Sequence, residues 1–109
     1  MKRALLLLSF VLPLAASAQL VKLDGAKAIQ YKQVEDTKLF LHVFNPKDHK
    51  ASDRRPAIVF FFGGGWNGGT PKQFEPHCVY LASRGMVAIT AEYRVKSRNQ
   101  TTPFECVKD

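Results

Sequence analysis

Ala57 to Gly69 read AIVFFFGGGWNGG, six apolar residues in a row followed by five glycines set around Trp66 and Asn67. An unbroken run rich in β-branched and aromatic side chains is the pattern of a strand covered on both faces, as parallel sheets require. Directly after it the backbone is stripped of side chains at Gly63, Gly64, Gly65, Gly68 and Gly69. Glycine admits positive φ and a close approach, so successive N–H groups can point inward together and grip a negative charge. A plain tight turn uses the same residues, and the loop alone does not choose between the two.

Working outward, Thr70-Pro71-Lys72-Gln73 carries a helix start: a capping threonine, a proline at the first helical position, and a glutamine three residues after the cap. Pro76 falls early enough to make the first turn irregular. Phe74, Cys78, Leu81 and Ala82 recur at helical spacing and give one apolar face, which Gly85 ends. Met86 to Ala91 is a second buried-type strand, and Thr102-Pro103-Phe104-Glu105 is a second helix start. Upstream, Ala28–Val34 and Leu39–Phe44 read as two strands around Glu35-Asp36-Thr37, an antiparallel hairpin. The stretch 45–56, with Pro46, Pro56 and four Lys or Arg residues, is a solvated loop. Strand, helix, strand, helix start is a βαβ pattern, which implies parallel strands.

The first 18 residues follow other rules. Lys2 and Arg3 precede an apolar stretch, and Ala16-Ser17-Ala18 is a small-residue cleavage site. That is the layout of a secretory signal, too short for a membrane span, with Gln19 as the mature N-terminus. The expected location is secreted or periplasmic, with no membrane attachment after cleavage. The chain has 109 residues and a net charge of +7, two units of which come from Lys2 and Arg3. Its basic residues are scattered, without the aromatic and basic stripe of a nucleic-acid binder. His42, His49 and His77 lack zinc-type spacing, and no cofactor is expected.

Two chemistries use a glycine turn at the end of a parallel strand. Gly63 to Gly68 satisfies the G-x-G-x-x-G spacing of dinucleotide binding, and Glu92 ends the next strand where an acid would meet a ribose. Against this, Thr70 caps its helix two residues after Gly68, whereas that fingerprint places the last glycine inside the helix. Trp66 is also bulky where a pyrophosphate should approach. The other chemistry is acyl transfer, in which backbone N–H groups stabilise a tetrahedral oxyanion.

The run Phe62-Gly63-Gly64-Gly65-Trp66 resembles the HGGG(W) loop of α/β-hydrolase esterases and lipases, and Glu92-Tyr93-Arg94 is similar to their D-Y-R element. Leu81 to Gly85 resembles the helix end between them, and the likeness extends over residues 29–109. It implies an α/β-hydrolase-type, mostly parallel sheet with an N-terminal hairpin: residues 1–18 a signal peptide, residues 19–109 the front part of the domain. The implied activity is hydrolysis of carboxylic esters, with small-molecule or carbohydrate-linked acyl groups as substrates. The implied oxyanion donors are the N–H groups of Gly64 and Gly65. Trp66 shapes the acyl or alcohol side of the pocket, or packs the loop onto the sheet. Arg94 ties to a nearby carboxylate or carbonyl, with Glu92 as its candidate partner.

Two departures accompany the resemblance. Phe62 stands where the family has histidine, keeping ring bulk but losing both ring nitrogens. No G-x-S-x-G elbow occurs among Ser9, Ser17, Ser52, Ser83 and Ser97, so the sheet is expected to be cut off before its nucleophile strand and inactive by itself. With few helices to cover it, the Phe60 to Phe62 run is expected to be poorly buried. A competing reading is a shortened binding or interaction protein that covers this surface with a partner. Cys78 and Cys106 suit an oxidising compartment, yet helices on opposite faces would keep them apart, and pairing stays open.

Overall fold

The computed structural model describes residues 20–109, so the signal-like segment 1–18 lies outside the described residues. Strands β1 (Lys27–Val34) and β2 (Thr37–Phe44) form the hairpin, joined by Glu35 and Asp36, with Glu35 at φ +52°. The register pairs Ile29 with Leu41 and Val34 with Thr37. A register shift around Tyr31 bends β1 as a bulge does. From there the Tyr31 hydroxyl donates to the Glu92 carbonyl, and burial pushes its pKa up to about 12.

The chain then lays down β3 (Ala57–Phe61), a 3-10 turn (Pro71–Phe74), α1 (Glu75–Ser83) and β4 (Val87–Ala91). The sheet order is β1-β2-β4-β3. β3 and β4 pair in parallel, Val59 opposite Ile89, while β4 meets β2 antiparallel. The mixed sheet is therefore a hairpin feeding a parallel βαβ unit. Pro76 accounts for the split helix start: the first turn winds as 3-10 before α1 settles. Gly85 leaves the helix at φ +92°, a conformation that penalises any side chain.

The core lies between one face of the sheet and α1. Leu23, Phe44, Cys78 and Ala88 are buried, with Ile58, Phe60, Phe74, Leu81 and Ala82 packed around them. Phe60 stacks on Phe74 at 4.7 Å. The expectation that β3 is covered on both faces is corrected here. Its alternate residues Val59 and Phe61 are 44% and 67% exposed, because α1 covers only the Ile58 and Phe60 side. The expected poor cover of the Phe60 to Phe62 run therefore holds at Phe61 and is corrected at Phe62, which is fully buried.

Two short helices follow β4: α2 (Lys96–Asn99) and α3 (Pro103–Lys108). α3 begins as the sequence signals, with the Glu105 carboxylate accepting from the Thr102 N–H at 2.6 Å. Cys78 and Cys106 are both buried free thiols, one under α1 and the other on α3.

Candidate functional site

The glycine loop leaves the C-terminal end of β3 and turns sharply. Gly64 takes φ +143° and Gly65 φ +60°, and Trp66 follows at φ +61°, a left-handed position uncommon for so large a residue. A Cβ on Gly64 would lie 2.2 Å from the Gly68 carbonyl oxygen, so no other residue fits there without movement. The turn closes on the Gly64 carbonyl, which accepts from the Asn67 N–H at 3.1 Å and the Gly68 N–H at 3.4 Å.

The loop's next carbonyls are taken up by the start of α2. Trp66 C=O accepts from the Lys96 N–H at 3.0 Å, and Asn67 C=O from the Ser97 N–H at 2.9 Å. Among the described residues, nothing accepts from the N–H groups of Gly64 and Gly65, and both glycines are exposed. The two amides are thus left with unfilled donor capacity in a loop whose Gly64, Trp66 and Asn67 carbonyls are engaged. Beside them opens a cavity of about 730 Å³, lined by Gly65, Trp66 and Asn67 on one side and by Lys96, Gln100 and Thr101 on the other. Trp66, 48% exposed, stands on the cavity wall.

Phe62 anchors the loop to the sheet. Its ring stacks on Tyr93 with centroids 4.2 Å apart and planes 13° from parallel, and the Arg98 guanidinium carbon lies 5.7 Å from its centroid. The Tyr93 hydroxyl donates to the Phe62 carbonyl. Burial first, then the Cys106 thiol, raise the Tyr93 phenol above its ordinary value, so it stays a protonated donor at neutral pH. Phe62 is thus held by ring stacking and by its backbone carbonyl.

Three expectations need correction. Gln73 does not complete a capping box on its own turn; its Oε1 accepts instead from the Gly63 N–H at 2.7 Å, while Thr70 Oγ1 alone caps by accepting from Lys72 N. Arg94 does not pair with Glu92. It forms a two-pronged bond to Asp109, both contacts at 2.8 Å, and its backbone N–H adds a third at 3.0 Å. Glu92 is taken up by His42, whose Nε2 lies 3.1 Å from Oε1, and by the Phe40 N–H. His42 and Glu92 are both buried, which leaves Glu92 no reach toward a ribose.

Sequence reasoning did not find α2 or the His42–Glu92 pair. The helix is four residues long, with Val95 at its cap and no capping side chain on it, so it has neither period nor start signal. The one usable hint is Asn99, whose Oδ1 accepts from the Val95 N–H. The buried pair joins residues 50 positions apart, which only the strand register brings together.

Residues 14–97 match the sequence model of the carboxylesterase family. The chain belongs to that family. Among solved structures it is similar to esterase 2 of the planctomycete Thermogutta terrifontis. The propionate-bound form is 52% identical with a TM-score of 0.76, covering 79% of this chain and 32% of that one. The apo form gives 50% identity and a TM-score of 0.78, covering 82% and 33%. Over 63 residues it is 41% identical to the neuroligin-like protein glit-1 of Caenorhabditis elegans, covering 57% of this chain and 8% of that protein. The chain thus spans about a third of the length of the esterase structures it matches.

Proposed function

We propose that these residues form the front of a serine-esterase-like hydrolase of carboxylic esters, in which Gly64 and Gly65 N–H groups stabilise the tetrahedral oxyanion. One observation carries the reading. In a carboxylesterase-family chain, the loop at the end of parallel strand β3 gives its Trp66 and Asn67 carbonyls to α2 and leaves those two amides without an acceptor among the described residues. Two preorganised donors beside a cavity suit a charge that develops during reaction, because they need no reorganisation when it appears.

Trp66, on the cavity wall, would contact the acyl or alcohol side. Short acyl groups are the first choice, since the similar esterase is known with propionate and with butyrate bound. Lys96, Gln100 and Thr101 on the facing wall support a polar alcohol, including a carbohydrate-linked one. The same esterase is phosphorylated by paraoxon, and a protein carrying this loop together with a nucleophile should be captured in the same way. Export through residues 1–18 belongs to this proposal, and a mature protein starting at Gln19 would support it.

The described serines, Ser52, Ser83 and Ser97, lie in a loop, at the end of α1 and in α2, none at a strand-to-helix elbow. The 109 residues by themselves should therefore leave nitrophenyl acetate at the buffer rate. Hydrolysis above buffer that disappears in Gly64→Pro would contradict this. A chain that binds a protein partner through Phe61 and Val59, and never joins a nucleophile, would favour the interaction-protein reading instead.

A further inference from the structure

One peptide group, the one joining Phe62 to Gly63, is held at both polar ends by side chains from two different elements. Its N–H donates to Gln73 Oε1 at 2.7 Å, from the 3-10 turn that follows the loop. Its carbonyl accepts from the Tyr93 hydroxyl, which sits just after β4. The Tyr93 ring also lies flat against Phe62, whose own ring is 2% exposed.

A peptide group is planar and stiff, so fixing both of its ends removes its freedom to rotate about the chain. The direction of the next N–H, that of Gly64, then depends only on the two dihedrals of Gly63. Glycine is the residue least able to fix those dihedrals alone. On the far side the loop is tied by the Trp66 and Asn67 carbonyls to α2. The free amides of Gly64 and Gly65 therefore sit between two fixed points, one made by side chains and one by backbone.

We propose that Gln73 and Tyr93 are positioning residues: together they clamp the Phe62–Gly63 peptide and so aim the Gly64 and Gly65 amides. Neither touches the cavity lining. The proposal rests on the reading of those amides as the oxyanion donors. Its test measures loop order without turnover, so failure of the clamp and failure of the esterase reading are separate results.

The test uses the full 109-residue chain, labelled with nitrogen-15, and backbone order parameters at Gly64 and Gly65. Gln73→Leu removes the acceptor, Tyr93→Phe removes the hydroxyl but keeps the stack, and Gln73→Glu keeps an acceptor oxygen. Rigid backbone gives about 0.85 and flexible backbone below about 0.6. The expected result is a fall from the rigid to the flexible range at Gly64 and Gly65 in Gln73→Leu and Tyr93→Phe, with β3 and β4 unchanged and Gln73→Glu close to the parent. Trp66, the only tryptophan of the chain, gives a parallel readout, its fluorescence anisotropy falling in the same two variants. Unchanged order at both glycines in both variants overturns the proposal. So does an equal loss across loop and strands, which marks a merely structural tie, or a failure of Gln73→Glu to restore order.

Discussion

Replacing Gly64 by alanine sets two costs against each other, and the smaller one decides what the loop does. If the backbone stays in place, the new Cβ sits 2.2 Å from the Gly68 oxygen and 2.8 Å from its carbon, at φ +143°. Strain of that kind costs about 1–3 kcal/mol, and forcing an atom into packed backbone adds about 1–3 kcal/mol. If the turn opens instead, the Asn67 and Gly68 bonds to the Gly64 carbonyl are lost. At about 0.5–1.5 kcal/mol each, opening costs about 1–3 kcal/mol. Opening is the cheaper route, so the variant should fold with a rearranged loop. Gly65→Ala differs. Its Cβ meets nothing within 4 Å, and its φ of +60° costs only the left-handed penalty of about 1–2 kcal/mol. The two variants should lose similar stability, yet only Gly64→Ala should lose the turn. Hydrogen exchange at the Asn67 amide separates them, with protection lost in Gly64→Ala and kept in Gly65→Ala. Equal Asn67 protection in both would refute the reasoning.

Other consequences follow from the buried charges and thiols. Burial works to raise the Asp109 carboxyl, but hydrogen bonds from Arg94 and Lys32 outweigh it and hold the pKa below the ordinary value. A depressed folded pKa stabilises above the unfolded value near 4, and that stability is lost as pH falls through the folded pKa. Asp109→Asn should therefore cost about 2 kcal/mol near neutrality and flatten the decline in stability as pH falls below about 4; an unchanged pH profile in denaturant titrations would contradict this. His42→Leu leaves the buried Glu92 side chain with only the Phe40 N–H and should destabilise by about 1–3 kcal/mol in the same titrations. Burial pushes the Cys78 thiol up to about 11, so it should resist thiol reagents in the folded chain. Unfolded without reductant, the protein should show two titratable thiols, and none would mean a disulfide.

How much was legible in the sequence depended on whether a signal is local. The AIVFFF run, the two strand-like runs of the hairpin and the two Thr-Pro starts are short-range patterns, and all of them appear as elements at their expected places. The parallel pairing of β3 with β4 followed from the helix between them. What sequence could not supply was which polar side chain meets which. Gln73 had a plausible local use as a cap, but the unpaired Gly63 amide on the preceding loop offered a shorter bond. Arg94 found its carboxylate at Asp109, fifteen residues on, because the chain after β4 folds back through α2 and α3. The apolar run suggested cover on both faces and the count of helices suggested poor cover; Val59 and Phe61 follow the helix count, while Phe62 is buried by Tyr93, a contact with no local signal. The glycine loop follows β3 where its run of glycines predicts a turn, while the capture of the Trp66 and Asn67 carbonyls by a four-residue helix had no local signature.

The most direct test of the central claim removes the Gly65 N–H without moving the chain. Proline is the wrong probe, since its ring holds φ near −65° while Gly65 sits at +60°. Substituting glycolic acid for Gly65 replaces the amide by a backbone ester and leaves the dihedral free. The measurement is turnover of nitrophenyl acetate by a protein in which these residues are joined to their nucleophile, with circular dichroism as the folding control. Loss of one oxyanion donor predicts a fall in kcat of about 10²–10³, with KM changed by less than about threefold because the ground-state carbonyl uses that donor little. A folded ester variant whose kcat stays within about threefold of the parent would contradict the account, and the glycine loop would then be a turn and nothing more.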